Sequence, residues 1–148
     1  MNIAVPIEDF DINNVFFQEA IKNTILDNSS FIRVIYSNEY FMCNGVCIKF
    51  NIPILNIDRS FNKYKCTFDI LNNTELIKRI TNIENKLISK CNITNKTPVF
   101  RISEQLKHKF IKVSIINTYL QNISFIIKIS GIWYNELEYG LTYKFVQV

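Results

Sequence analysis

Apolar and polar residues alternate at period two over much of this chain, and in one window the apolar residues recur instead at helical spacing. Phe31–Tyr36 is β-branched and aromatic, as strands are. Tyr40–Cys43, Asn44-Gly45 and Val46–Ile52 together predict a hairpin. Asn-Gly supplies the two positive-φ residues of a type I′ turn, and apolar runs flank it on both sides. Pro53 then ends the second strand or leaves it on an edge. Tyr64–Ile70 alternates enough to predict a further strand. The period changes at Leu76, Ile80, Ile83 and Leu87, which fall at i, i+4, i+7 and i+11. Ile77 and Ile88 lie beside them, with Lys78, Arg79, Glu84 and Lys86 opposite. This is the pattern of an amphipathic helix of about four turns, with Asn73 or Thr74 as its N-cap. Strands are expected again at Val99–Ile102, Phe110–Thr118, Ile123–Trp133 and Leu141–Val148. Val15–Leu26 fits neither period well, and a strand followed by a turn is the reading adopted.

Strands, one helix, then strands, with no βαβ alternation, argue against a doubly wound sheet. The order suits a mainly-β fold, a small OB-fold-like barrel with the helix plugging one end. At 148 residues the chain is expected to be a single domain, 1–148. A hydrophobic fraction of 48% with 20% charged residues is normal for a chain with a core, and three Gly and three Pro leave little room for flexible linkers.

Candidate chemistry is sparse. Cys43 and Cys47 have a spacing that zinc can use, but Cys66 and Cys91 are not paired in sequence and His108 is the one histidine. Four ordinary thiols in a reducing compartment are the simpler reading. His108 lies in Lys107-His108-Lys109 with no nucleophile motif around it, and Gly45, Gly131 and Gly140 are isolated, so no phosphate loop is present. Glu136 and Glu138 fall in a turn-like segment, where nothing raises a carboxyl pKa for acid–base work. No enzyme, cofactor or metal is expected. No apolar run approaches the roughly 20 residues needed to cross a bilayer, and the start of the chain lacks a signal-peptide pattern. The expectation is an intracellular protein, in cytoplasm or nucleus, that does not contact a membrane.

Charge sharpens the picture. The net charge is +4, and the bases gather in the second half: from Lys86 to Lys128 come Lys90, Lys96, Arg101, Lys107, Lys109 and Lys112, opposed only by Glu104. That asymmetry points to an anionic partner. Arg59, Phe61, Lys63, Tyr64 and Lys65 interleave cations with rings, the mixture with which proteins hold single strands, lysines following phosphates and rings stacking on bases. Lys107, Lys109 and Lys112, around Phe110, repeat it more weakly. With aromatics at 14% of the chain, most rings belong to the core, and Phe61 and Tyr64 stand out because cations surround them.

The most distinctive stretch is Phe125–Tyr134, a short spacer, then Gly140–Val148, which predicts two strands joined by a polar turn. Gly131 there predicts a bulge or a close backbone approach, Gly140 the start of the return strand, and Trp133, the single tryptophan, a cap on the core or a stacking platform. The pattern Ser130-Gly131-Ile132-Trp133, an acidic spacer, then Gly140-Leu141-Thr142-Tyr143-Lys144 resembles the C-terminus of small OB-fold single-stranded DNA-binding proteins of nucleocytoplasmic large DNA viruses, distantly like those of lytic phages. The resemblance implies a single-stranded DNA-binding protein of viral replication, recombination or repair, made in host cytoplasm or nucleus and open to packaging in the virion. It implies single-stranded DNA, replication proteins and a second copy in a homodimer as partners. The ending Phe145–Val148 departs from the acidic, partner-recruiting tail of the phage members. The alternative is a small virion or adaptor protein that docks through that apolar end and through exposed strand edges.

Overall fold

Alternation in Val46–Ile52 and, broken by Ile126, in Ile123–Ile129 builds the centre of the molecule. The computed structural model describes residues 3–22, 29–116 and 122–148. Its strands are β1 (Val5–Pro6), β2 (Val15–Lys22), β3 (Ser30–Ser37), β4 (Met42–Asn44), β5 (Val46–Pro53), β6 (Asn56–Ser60), β7 (Lys63–Thr67), β8 (Thr97–Val99), β9 (Phe110–Val113), β10 (Asn122–Tyr134) and β11 (Glu138–Gln147). Two α-helices, α1 (Thr74–Cys91) and α2 (Arg101–Lys107), lie between β7 and β8 and between β8 and β9. The large sheet runs β1-β5-β10-β11-β8, and β3 pairs with β10, β2 and β4; the small sheet is β6-β7-β9.

The inner face of the large sheet carries Val46, Ile48, Phe50 and Ile52 of β5 opposite Ile129, Ile127, Phe125 and Ile123 of β10, all buried. Phe145 of β11 joins them edge-on to Phe50. Ile80, Ile83, Leu87 and Ile88 of α1, Ile102 and Leu106 of α2, and Cys66, Ile111 and Val113 of the small sheet complete one continuous core. Each such Ile, Leu or Phe contributes about 1.5–3 kcal/mol by leaving water. Burial also pushes the thiols of Cys66 and Cys91 up to about 11, which keeps them protonated and unreactive at neutral pH.

The expected OB-type barrel is not what the chain forms. It is a mixed α/β fold of two sheets and two helices, and the sheets do not close. Beyond Gly140 no described strand pairs with the outer edge of β11, and β9, which approaches it, makes no ladder with it. The Gln105 side chain of α2 stands in that gap and accepts a hydrogen bond from the Tyr143 hydroxyl at 2.7 Å. The second helix is itself a correction, since a strand was expected at Val99–Ile102. Only Thr97–Val99 is a strand, and the chain turns helical at Arg101 so that Ile102 and Leu106, four apart, face the core.

Glu84 supplies the reason. It was expected on the polar side of α1, yet it is 1% exposed. Its carboxylate accepts the N–H groups of Ile102 (2.8 Å) and Ser103 (2.9 Å) and the Ser103 hydroxyl (2.5 Å). These are first-turn groups of α2 that the helix cannot satisfy itself, so α1 caps α2 across a sequence separation of 18.

The Asn44-Gly45 hairpin is likewise absent. β4 pairs with β3, Tyr36 opposite Cys43, whereas β5 pairs with β10. Gly45 does take a positive φ of 87°, but its N–H donates to Val34 O, so the residue marks a change of partner and not a turn. Gly131 is at the expected irregularity: the register slips between Ile129 and Gly131, and there β10 exchanges β5 for β3. A Cβ at Gly131 would lie 2.1 Å from Ile32 O, so only glycine allows β3 this close. α1 fits its expected span, Pro53 ends β5, and β10 and β11 form the expected hairpin, closed by Asn135, whose side-chain oxygen accepts from Leu137 and Glu138 N–H. Gly140 lies within the return strand rather than at its start. The turn expected in Val15–Leu26 and the end of the strand expected at Phe110–Thr118 extend beyond the described residues.

Candidate nucleic-acid interface

The two basic–aromatic segments picked out from the sequence meet in the small sheet. β6 and β7 form a hairpin with Arg59 opposite Tyr64 and Ser60 opposite Lys63, and β7 pairs with β9 so that Lys65 lies opposite Lys112. The ammonium groups of Lys65 and Lys112 sit 4.5 and 5.5 Å from the centre of the Phe110 ring. Pleating splits the group, however, because neighbouring residues on a strand point to opposite faces. Lys63, Lys65 and Lys112 share the outer face, together with Asp58, which lies opposite Lys65. Arg59 and Tyr64 are on the other face, the guanidinium 6.0 Å from the ring centre, and Tyr64 is half-buried against the core. Phe61 is 96% exposed at the tip of the hairpin. Lys107 and Lys109 are exposed around the C-terminus of α2, the latter at φ 68°, and stand apart from this cluster in the ladder.

A larger basic surface was missed by sequence reasoning. Where the inner face of the large sheet is apolar, the outer face of the same strands reads Cys47, Lys49, Asn51 on β5, Ser124, Ile126, Lys128 on β10 and Thr142, Lys144, Val146 on β11. Lys128 lies directly between Cys47 and Lys144. Past the bulge the same face continues through Arg33, Gly131 and Thr142, then through Phe31, Trp133 and Gly140. Arg33, Lys49 and Lys144 are exposed and Lys128 half-buried. None of these four cations forms an ion pair with a described residue. No Asp or Glu occupies the face from Ser124 to Trp133 of β10 or from Gly140 to Val146 of β11; the nearest carboxylate along β11, Glu138, lies at the turn. From Ser124 to Trp133 the face is about 30 Å long. Burial pushes the Cys47 thiol up, against the pull of Lys128 and Lys144, so the thiol stays neutral beneath the two ammonium groups.

At one end of the face the rings lie over glycines. Trp133 covers Gly140, where a Cβ would come within 3.2 Å of the indole, and Phe31 covers Gly131. The first residue of α2, Arg101, places its guanidinium 4.5 Å from the indole centre. Arg101 is exposed, so its guanidinium is the outermost group at this end of the face. The indole N–H is buried without a partner, which marks Trp133 as a platform held by packing. At the other margin the face runs into the open gap between β11 and β9, a groove of about 560 Å³. Lys63 and Lys112 line one wall and Tyr143, Lys144 and Val146 the other. Burial and then the nearby Glu84 raise the Tyr143 phenol above its ordinary pKa, opposed by Arg101, so it stays protonated and donates to Gln105.

Of the sequence-chosen residues, then, the structure gathers Lys63, Lys65 and Lys112 beside the groove and puts Trp133 on the large face. Arg33, Lys49, Lys128 and Phe31 were overlooked, and Arg101 and Lys144 were noted only for charge asymmetry and for the family resemblance. The signal was present only as one outward Lys in each of three alternating runs (Lys49, Lys128, Lys144), and it becomes a surface only once β5, β10 and β11 are known to be neighbours. Among the described residues no group of His, Cys, Asp or Glu is placed to hold a metal, and no helix is long and apolar enough to cross a membrane. Fold and site together define a mixed α/β fold with one predominantly basic sheet face. No protein-family model matches the chain, and neither does any curated protein or solved structure. The resemblance to viral OB-fold proteins therefore loses the fold it implied and gains no DNA-binding or viral signature.

Proposed function

We propose that this protein binds single-stranded DNA on the outer face of β3, β5, β10 and β11, and performs no chemistry on it. The observation that supports this most is the row Arg33, Lys128, Lys144 and Lys49, with no carboxylate on the outward side of β10 from Ser124 to Trp133 or of β11 from Gly140 to Val146, ending at the Phe31 and Trp133–Arg101 group. Cations without an ion-pair partner among the described residues recover favourable charge by replacing the counterions of a phosphate chain. Rings and a guanidinium plane at one end give bases a flat surface, worth about 1–3 kcal/mol per stacked base. A face about 30 Å long fits the short end of the ~4–16 nucleotide footprints of single-strand binders. A duplex would fit worse, since a broad pleated face offers nothing that enters a groove.

The docking alternative is weaker on this structure. Phe145, the largest residue of the apolar C-terminus, is 5% exposed in the core, which leaves Val146 and Val148 to make contacts. Anisotropy of labelled oligo-dT at two salt concentrations tests the proposal. Neutralisation of four phosphates corresponds to a log–log salt slope of about −3 for a single strand. Binding that is absent, or that ignores salt, contradicts the reading; an oligo-U arm of the same length measures the preference for DNA over RNA.

A further inference from the structure

The tip of the β6–β7 hairpin has a conformation that its own sequence resists. The turn between Ser60 and Lys63 holds only Phe61 and Asn62, and it is Phe61, not the more tolerant asparagine, that takes the left-handed backbone at φ 54°. A side chain there costs about 1–2 kcal/mol relative to ordinary backbone. The ring recovers nothing by packing, since Phe61 is 96% exposed, the most exposed large apolar residue described. Strain and an unpacked ring at one position have no structural benefit on this chain, which directs attention to a partner.

The position of the tip narrows that partner. Lys63, the first residue after the turn, lines the groove between β9 and β11, opposite Lys144 of the basic face. Ile115 and Val146, 68% and 41% exposed, line the same groove. A strand lying along Lys49, Lys128 and Lys144 thus passes from the sheet face into a groove with Lys63 and Lys112 on its far wall, and Lys63 stands two residues from the exposed ring at the hairpin tip. Apolar side chains carried in this way separate stacked bases when they enter between them. Resting on the reading of the large face as a single-strand platform, we propose that Phe61 is a wedge and that the preferred ligand is a single strand emerging from a duplex. The tail lies on the sheet, the groove carries the junction phosphates, and Phe61 stacks on the last base pair.

A duplex with a single-stranded oligo-dT tail, carrying 2-aminopurine at the junction, tests this against the same tail alone. The wild-type protein binds the tailed duplex about tenfold more tightly than the tail, the worth of one stacked base, and the 2-aminopurine brightens as it unstacks. Phe61→Ala and Phe61→Gly lose that preference and the brightening while holding the plain tail within about twofold; Phe61→Trp keeps both. Phe61→Gly also relieves the backbone, so a loss of preference in a variant at least as stable as wild type separates the wedge from folding. Equal affinity of the wild type for tail and tailed duplex overturns the wedge and leaves the platform standing. No binding to either DNA overturns the platform reading and the wedge with it.

Discussion

Replacing Glu84 by alanine is expected to cost about 3–5 kcal/mol of unfolding free energy, more than any single change on the surface of this domain. The carboxylate is 1% exposed and receives three hydrogen bonds, from Ile102 N–H, Ser103 N–H and the Ser103 hydroxyl. An unmade bond to a buried donor costs about 1–3 kcal/mol, and alanine leaves three such donors facing a void. Glu84→Gln keeps one acceptor oxygen but turns an amide NH₂ toward the other donors, and should lose roughly half as much. Urea denaturation measures both, and hydrogen exchange at Ile102 and Ser103 places the loss at the start of α2. A Glu84→Ala protein within about 1 kcal/mol of wild type, with those amides still protected, would show that α2 does not need this cap. The consequence reaches the proposed site, because α2 carries Arg101 over Trp133 and Gln105 against Tyr143. Loosening that helix should disturb the stacking end of the basic face while the lysines on β5, β10 and β11 stay in place.

Glu84 also shows where sequence reasoning stops. At 3.6 residues per turn its spacing in fact puts it between Ile80 and Ile77, inside the apolar arc and not opposite it, but a helical wheel has no means of knowing that a second helix begins against it. The same long-range term turned Val99–Ile102 from an expected strand into the start of α2. Asn44-Gly45 failed for a related reason. The local signal for a tight turn was sound, and Gly45 does use positive φ, but β3 and β10 offered better partners to the two flanking strands. What was legible was local: the 3.6 period of α1, the alternation of β5 and β10, the stop at Pro53, the irregularity at Gly131 and the hairpin before Gly140. The barrel was an extrapolation from element order, and order alone does not say whether β9 and β11 hydrogen-bond. The site divided in the same way. Arg59–Lys65 and Lys107–Lys112 are contiguous in sequence and so were visible, whereas Arg33, Lys49, Lys128 and Lys144 come from four strands and meet only through the ladder.

The largest expected effect on binding follows from that assembly. A quadruple variant with Arg33, Lys49, Lys128 and Lys144 all changed to alanine should bind oligo-dT about a hundredfold more weakly near 0.1 M salt and lose most of the salt slope, at roughly 0.7 per phosphate contact. All four point outward from a sheet whose inner face holds the core, so stability should change by less than about 1 kcal/mol. The loss can then be assigned to charge. Neutralising Lys107 and Lys109, which lie off this face, is the control at half the charge change and should weaken binding by no more than about twofold. Should the control lose affinity as severely as the quadruple variant, attraction by overall charge replaces a defined face as the explanation.

Chemical-shift mapping of the labelled protein with oligo-dT tests the central claim most directly. The account predicts saturable shifts on one side of one sheet: at Phe31 and Arg33, at Cys47–Asn51, at Ser124–Lys128 and Trp133, and at Thr142–Val146, with the Trp133 indole and Arg101 among the largest. Shifts confined to the outward side of α1, or scattered over every lysine without saturating, would contradict it.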